Sequence, residues 1–328
     1  MKKVLLVLTV IVAFVAIIYI SIQSRSDQSA EDSSASVSGD YPPTPRVPDS
    51  NYFAGSYYRP KPVYPSHQWN NLLSYNREED GVLKRKPVLG YYRGDSIEAM
   101  DWSILWAVEN GLNFFVFDDF WSNSQSTPVY DTGIQAFLNA QNNGSMNFSS
   151  MVTSISAQNF AQAKQKFSGD IANYYKSTYF SRSNYLKIGE KPVVVIYNNS
   201  AAFKVANNDV SKVSSALTAF EQTVGQEVYW IYAASSPTES SYEHYKQMGY
   251  DALFPYGMLP DINYDVNPQA TLDHSESLAI QLEKVEQMYQ KATAANIKYI
   301  PAIVPNFDEQ NIYLTNSGFL SDLTRYTY

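Results

Sequence analysis

From residue 52 onward, short apolar runs recur along the chain with helix-spaced segments between them. The runs fall at 52–58, 88–92, 112–117, 146–152, 192–197, 227–232, 252–256 and 299–304. Several are apolar without interruption, as Val193-Val194-Val195-Ile196 shows, and a parallel strand buried on both faces reads that way. Between the second and third runs Ser96 stands as N-cap for a helix reaching Asn110, with Ile97, Ile104, Leu105 and Val108 on one face and Gly111 as its stop. The segment 278–294 repeats the pattern, with Leu278, Leu282, Val285 and Met288 or Tyr289 spaced by three and four. Strands and helices alternating at this length imply a parallel sheet, either a closed barrel or an open doubly wound sheet. Tyr57-Tyr58-Arg59-Pro60 stands where a glycine-rich phosphate loop would follow the first strand, which argues against a nucleotide-binding open sheet. No second polar linker interrupts the chain, so 51–328 reads as one α/β domain.

The first fifty residues follow other rules. Met1-Lys2-Lys3 precedes an uncharged stretch at 4–22, which as a helix would be about 28 Å long and match the hydrocarbon thickness of a bilayer. It is longer than the apolar part of a cleaved signal, and no Ala-x-Ala site follows it, so 1–22 is expected to be a signal-anchor helix. Lysines before it and the acids Asp27, Glu31 and Asp32 after it orient the bulk of the chain outside the cell membrane, single-pass, or secreted if the segment is cleaved. From 23 to 50 the composition turns to Ser, Asp and Pro, the signature of a disordered linker whose proline-rich end is extended.

Composition then narrows the function classes. The 328 residues contain no cysteine and only three histidines, so a Cys-ligated metal or disulfide framework is excluded and a histidine-rich metal centre is disfavoured. No metal or other cofactor is expected. Acids outnumber bases 32 to 24, and the net charge of −8 repels phosphate backbones, which makes nucleic acid a poor partner. Aromatic residues make up 15% of the chain, with 27 tyrosines. Such rings offer flat apolar faces with a polar tip, a surface that suits sugars.

In a parallel α/β barrel the C-terminal strand ends carry the site. Here those ends read Tyr57-Tyr58-Arg59, Asp118-Asp119-Phe120-Trp121, Thr153-Ser154, Tyr197-Asn198-Asn199, Tyr232, Tyr256-Gly257 and Pro305-Asn306-Phe307-Asp308-Glu309. Rings that stack on sugar faces beside carboxylates and amides that bind hydroxyls are the chemistry of a carbohydrate cleft. Asp118, Asp119 and Asp308 are the candidate catalytic carboxylates. Tyr57, Tyr58, Tyr91, Tyr92, Trp121, Tyr197, Asn198 and Tyr256 are candidate substrate contacts, with His67 on the rim. Strand alternation allows only one of Asp118 and Asp119 to face the barrel mouth, and Asp118 is the expected one.

Three motifs carry a resemblance. Leu89-Gly90-Tyr91-Tyr92, the run from Ala107 through Asn113-Phe114-Phe115-Val116-Phe117-Asp118-Asp119 to Trp121, and Tyr185-Leu186-Lys187-Ile188-Gly189-Glu190-Lys191-Pro192 leading into the next strand resemble glycoside hydrolase family 99, the endo-α-mannosidases. The likeness extends to that family's wider relatives, labelled as O-antigen-cluster glycosyltransferases. Pro305-Asn306-Phe307-Asp308 is similar to the family's Pro-Gly-Phe-Asp. The resemblance implies a (β/α)8 TIM-type barrel that cleaves α-linked, mannose-type polysaccharide with retention and without metal, the sugar's 2-hydroxyl assisting. It also implies two working glutamates in an Asn-Glu-Trp-x-Glu motif after the last strand, which the 328 residues do not contain. A family carboxylate after 146–152 is replaced by Thr153 or Ser154. Counted against the family, 88–92 is a lead-in to the first helix, and the barrel lacks its last strand. The alternatives are a non-catalytic carbohydrate-binding barrel and a surface-polysaccharide glycosyltransferase, although no donor-phosphate site is visible.

Overall fold

The computed structural model describes residues 41–49, 52–59, 88–90, 92–129, 131–197, 209–234, 241–256 and 274–302. The chain divides into two units, Met1–Tyr41 and Pro42–Tyr328, and every described strand and helix belongs to the second. The expected anchor at 4–22 lies outside the described residues. Among those described, no helix is long and apolar enough to cross a membrane. The proline-rich end of the expected linker is packed on the domain instead of standing free. Pro42 and Pro45 are buried, and the Pro43 carbonyl accepts a 3.0 Å hydrogen bond from Asn142 Nδ2.

Eight strands are described: β1 (Gly55–Tyr58), β2 (Phe114–Trp121), β3 (Asn147–Ile155), β4 (Lys187–Ile188), β5 (Lys191–Tyr197), β6 (Tyr229–Ala234), β7 (Ala252–Pro255) and β8 (Lys298–Tyr299). Seven of them form one parallel sheet in the order β1-β2-β3-β5-β6-β7-β8, while β4 pairs antiparallel with β5 as a short hairpin. The residues at 88–90 form a turn, not a strand, and Val88 is largely exposed. Without a partner strand an apolar dipeptide there gains nothing from extension.

The helices are α1 (Ile97–Glu109), α2 (Thr132–Asn139), α3 (Phe160–Lys166), α4 (Ala172–Tyr174), α5 (Val210–Val224), α6 (Ser241–Met248) and α7 (His274–Ala294). The start of α1 is set by the Ser96 hydroxyl accepting from Ala99 N at 3.2 Å, which satisfies one of the first-turn N–H groups. Gly111 follows its end at φ +87°, a conformation that only glycine adopts without strain. Around α4 the helix widens into π turns at Phe167–Ile171 and Tyr175–Tyr179, marked by the Phe180 N–H donating to the Tyr175 carbonyl at 2.8 Å. Widened turns of this kind recur at functional sites.

Buried side chains form two clusters, one on each face of the sheet. The larger lies under the helices and includes Phe115, Phe117, Phe148, Val194, Ile196, Trp230 and Leu253. The smaller holds Val116, Met151, Val193, Val195, Ile231 and Ala252, with Tyr57, Tyr197 and Tyr256 packed against it. A flat sheet would put β1 and β7 about 24 Å apart at the usual strand spacing. Yet the Tyr57 ring lies 4.8 Å from that of Phe254 and 5.0 Å from that of Tyr256. The sheet therefore curls so that its two sides meet ring to ring across a concave face, the geometry of a partial (β/α) barrel.

Candidate functional site

The Asp118-Asp119 pair lies within β2 and not beyond its end, since the strand continues to Trp121. A carboxylate pair can sit inside a buried strand only if each side chain finds a tolerable environment, and the two environments differ. Alternation along β2 sends Phe114, Val116 and Asp118 to the concave face and Phe115, Phe117, Asp119 and Trp121 toward the helices. Opposite Asp119 and Phe120 the register of β3 slips, Val152 pairing with Asp119 and Ser154 with Phe120, so Thr153 is the extra residue of a bulge. That bulge keeps Ile155 on the helix side beside Trp121, and bulges re-aim side chains near sites.

Asp119 is fully buried and held by hydroxyls. It accepts from Ser150 Oγ at 2.5 Å, from Tyr175 OH at 3.1 Å and from Tyr179 OH at 3.4 Å. The π turns of the helix bring both tyrosines to the sheet. Burial pushes its carboxyl up to about 7 even though those three hydrogen bonds pull it down, and the neighbouring Asp118 charge adds to the rise. With no solvent contact and all partners internal, this carboxyl is a structural group.

Asp118 is the opposite case. It is 4% exposed, and among the described residues its Oδ1 has no hydrogen-bond partner. Burial raises its carboxyl to about 6, opposed by the charge of Arg59. Two phenols face it. Tyr57 is raised well above the usual tyrosine value by burial, then by Asp118 and Tyr256. Tyr256 is pushed up to about 12 by burial, Asp118 and Tyr197. Both stay neutral donors across the physiological range. The Tyr197 ring meets Tyr256 edge-on at 4.8 Å. A buried carboxyl beside two phenols, with one oxygen unpaired among the described residues, has the chemistry of an acceptor for a ligand hydroxyl.

The other expected contacts lie elsewhere. Trp121, expected to line a subsite, is 2% exposed beneath the helices, with its ring 5.5 Å from Tyr174. It shares parity with Asp119, so a mouth-facing Asp118 and a mouth-facing Trp121 are incompatible on a regular strand. Tyr58 also turns to the helix side, its ring 5.1 Å from Phe115, and its hydroxyl interacts with Tyr92 and Ser103. Tyr92 thereby belongs to the packing between β1 and α1. Tyr91, Asn198, Asp308 and His67 lie outside the described residues. Among the described residues, no group of three or more His, Asp or Glu side chains could hold a metal ion.

No family model matches the sequence, and no curated protein matches it. Solved structures share the fold. It is similar to the GH99 endo-alpha-mannosidase from Bacteroides thetaiotaomicron in complex with BIS-TRIS-propane, at 15% identity and a TM-score of 0.55, covering 86% of this chain and 78% of that one. A second structure of the GH99 endo-alpha-mannosidase from Bacteroides thetaiotaomicron matches at 13% identity and a TM-score of 0.51, covering 80% and 75%. The likeness is one of fold, a (β/α) barrel.

Proposed function

We propose that the concave face binds an α-linked, mannose-type polysaccharide and that the chain is a retaining, metal-independent glycoside hydrolase acting on it. The observation that carries this reading is Asp118, a buried carboxyl with an unused oxygen between Tyr57 and Tyr256. A carboxyl near 6 holds a proton often enough to serve as an acid and releases it often enough to accept one. The glycosidase-type fold supports the substrate class. A second reading, binding without turnover, is favoured by the carboxyls on this face. Glycoside cleavage uses two carboxyl groups about 5 to 9 Å apart, and among the described residues the electrostatic partners of Asp118 on its own face are Arg59, Tyr57 and Tyr256.

Incubation of the purified protein with yeast mannan separates the readings. Released oligosaccharide establishes hydrolysis, binding without release leaves a carbohydrate-binding barrel, and neither outcome with mannan or related α-glycans removes both.

The domain is proposed to stand outside the cell, tethered by the apolar stretch at 4–22 with lysines on its cytoplasmic side. Protease added to intact cells should then digest the domain. Digestion only after lysis contradicts the tether.

A further inference from the structure

The β1–β2 ladder pairs Tyr57 with Val116 and Tyr58 with Phe117. Carried one step past the last pair of the ladder, the same register would set Arg59 opposite Asp118 and, as strand alternation continues, on the face of Tyr57, and the charge of Arg59 is felt by the Asp118 carboxyl. Neighbouring strands lie about 5 Å apart, near enough for a guanidinium and a carboxyl to influence each other strongly. Arg59 is exposed beyond the end of β1, and Asp118 lies buried in the face below it.

We propose that Arg59 is a positioning residue of the sugar site, its charge holding Asp118 as the carboxylate that accepts a sugar hydroxyl. This inference rests on the sugar-site reading above. Every element packed around Asp118 bears on it. From β1 come Tyr57 and Arg59, from the end of β7 comes Tyr256, and Tyr197 of β5 packs behind Tyr256. On β2 itself Asp119 points to the other face, and the β3 partner of Asp118 is the uncharged Met151. Arg59 is the one cation in that described set. Burial raises the Asp118 carboxyl and Arg59 is the group that lowers it, so without the guanidinium the carboxyl would stay protonated to higher pH. A protonated carboxyl forgoes the charge-assisted hydrogen bond that makes it a strong acceptor.

The test is a carbon-13 NMR titration of the full chain labelled at aspartate carboxyls, with the Asp118 signal assigned by its loss in Asp118→Asn, each sample then titrated with yeast-mannan oligosaccharide. Arg59→Gln should move the Asp118 midpoint upward by about half a pH unit and shift the pH below which mannan binding weakens by the same amount. Arg59→Lys should restore both. An Asp118 midpoint unchanged in Arg59→Gln overturns the inference, whatever the ligand does. A midpoint that moves as expected while oligosaccharide leaves the Asp118 signal untouched at every pH keeps the electrostatic link, but overturns the role in sugar binding and the sugar-site reading with it.

Discussion

The folded domain should lose stability as the pH rises from 5 toward 7.5, and Asp119→Asn should remove most of that loss. Asp119 holds its proton in the folded state up to about 7 because it is fully buried, whereas in the unfolded chain it releases it near 3.9. Between those values the folded state carries the extra proton, so raising the pH favours the unfolded state, and the effect levels off above the folded value. The slope is about 1.4 kcal/mol per pH unit, a total on the order of 4 kcal/mol, which makes it the largest single-residue effect expected here. Asp118 adds in the same direction, over the narrower window that ends near 6. The asparagine amide can donate to and accept from the Ser150, Tyr175 and Tyr179 hydroxyls without a charge to bury. Urea unfolding at half-unit pH intervals measures the difference between wild type and variant. Equal slopes for the two proteins would mean that Asp119 is ionised in the fold throughout the range.

Asp118→Ala should weaken binding of α-mannan oligosaccharide by about 10- to 150-fold, the loss of one charge-assisted hydrogen bond worth roughly 1.5 to 3 kcal/mol. The fold should tolerate the change, since Asp118 Oδ1 has no hydrogen-bond partner among the described residues to leave unpaired, and an exposed cation such as Arg59 adds little stability to a buried carboxyl. Asp119→Asn should leave affinity within about twofold, because its side chain never reaches the concave face. Calorimetric titration of the two variants reads both. If each binds as the wild type does, the cleft is not on this face of β2.

How far the residues disclose this arrangement varies from element to element. The helix expected to reach Asn110 spans Ile97–Glu109, legible to within one residue because Ser96 and Gly111 act locally. Strand positions are legible as apolar runs, but β2 overruns its apolar run by four residues. Its polar continuation is stabilised by hydroxyls from β3 and from the Tyr175–Tyr179 turn, partners 31 to 60 residues away that no local window contains. Alternation puts Asp118 and Asp119 on opposite faces, and the packing of Val116 and Phe117 on the two sides of the sheet decides which is which. The same alternation places Trp121 under the helices, so aromatic character by itself is a poor guide to a binding surface. Arg59 becomes visible only once register is known, because its partner lies across a ladder and not along the chain. The pair Val88-Leu89, with Val88 exposed, shows the converse: an apolar pair without a neighbouring strand among the described residues remains a turn.

The most direct measurement of sugar recognition by Asp118 is a crystal structure of the domain with an α-mannan oligosaccharide bound. A sugar ring should lie on the concave face between Tyr57 and Tyr256, with one of its hydroxyls about 2.5 to 3 Å from an Asp118 carboxylate oxygen. An oligosaccharide bound on the helix side or away from β2, with no sugar hydroxyl on Asp118 Oδ1, would contradict that role.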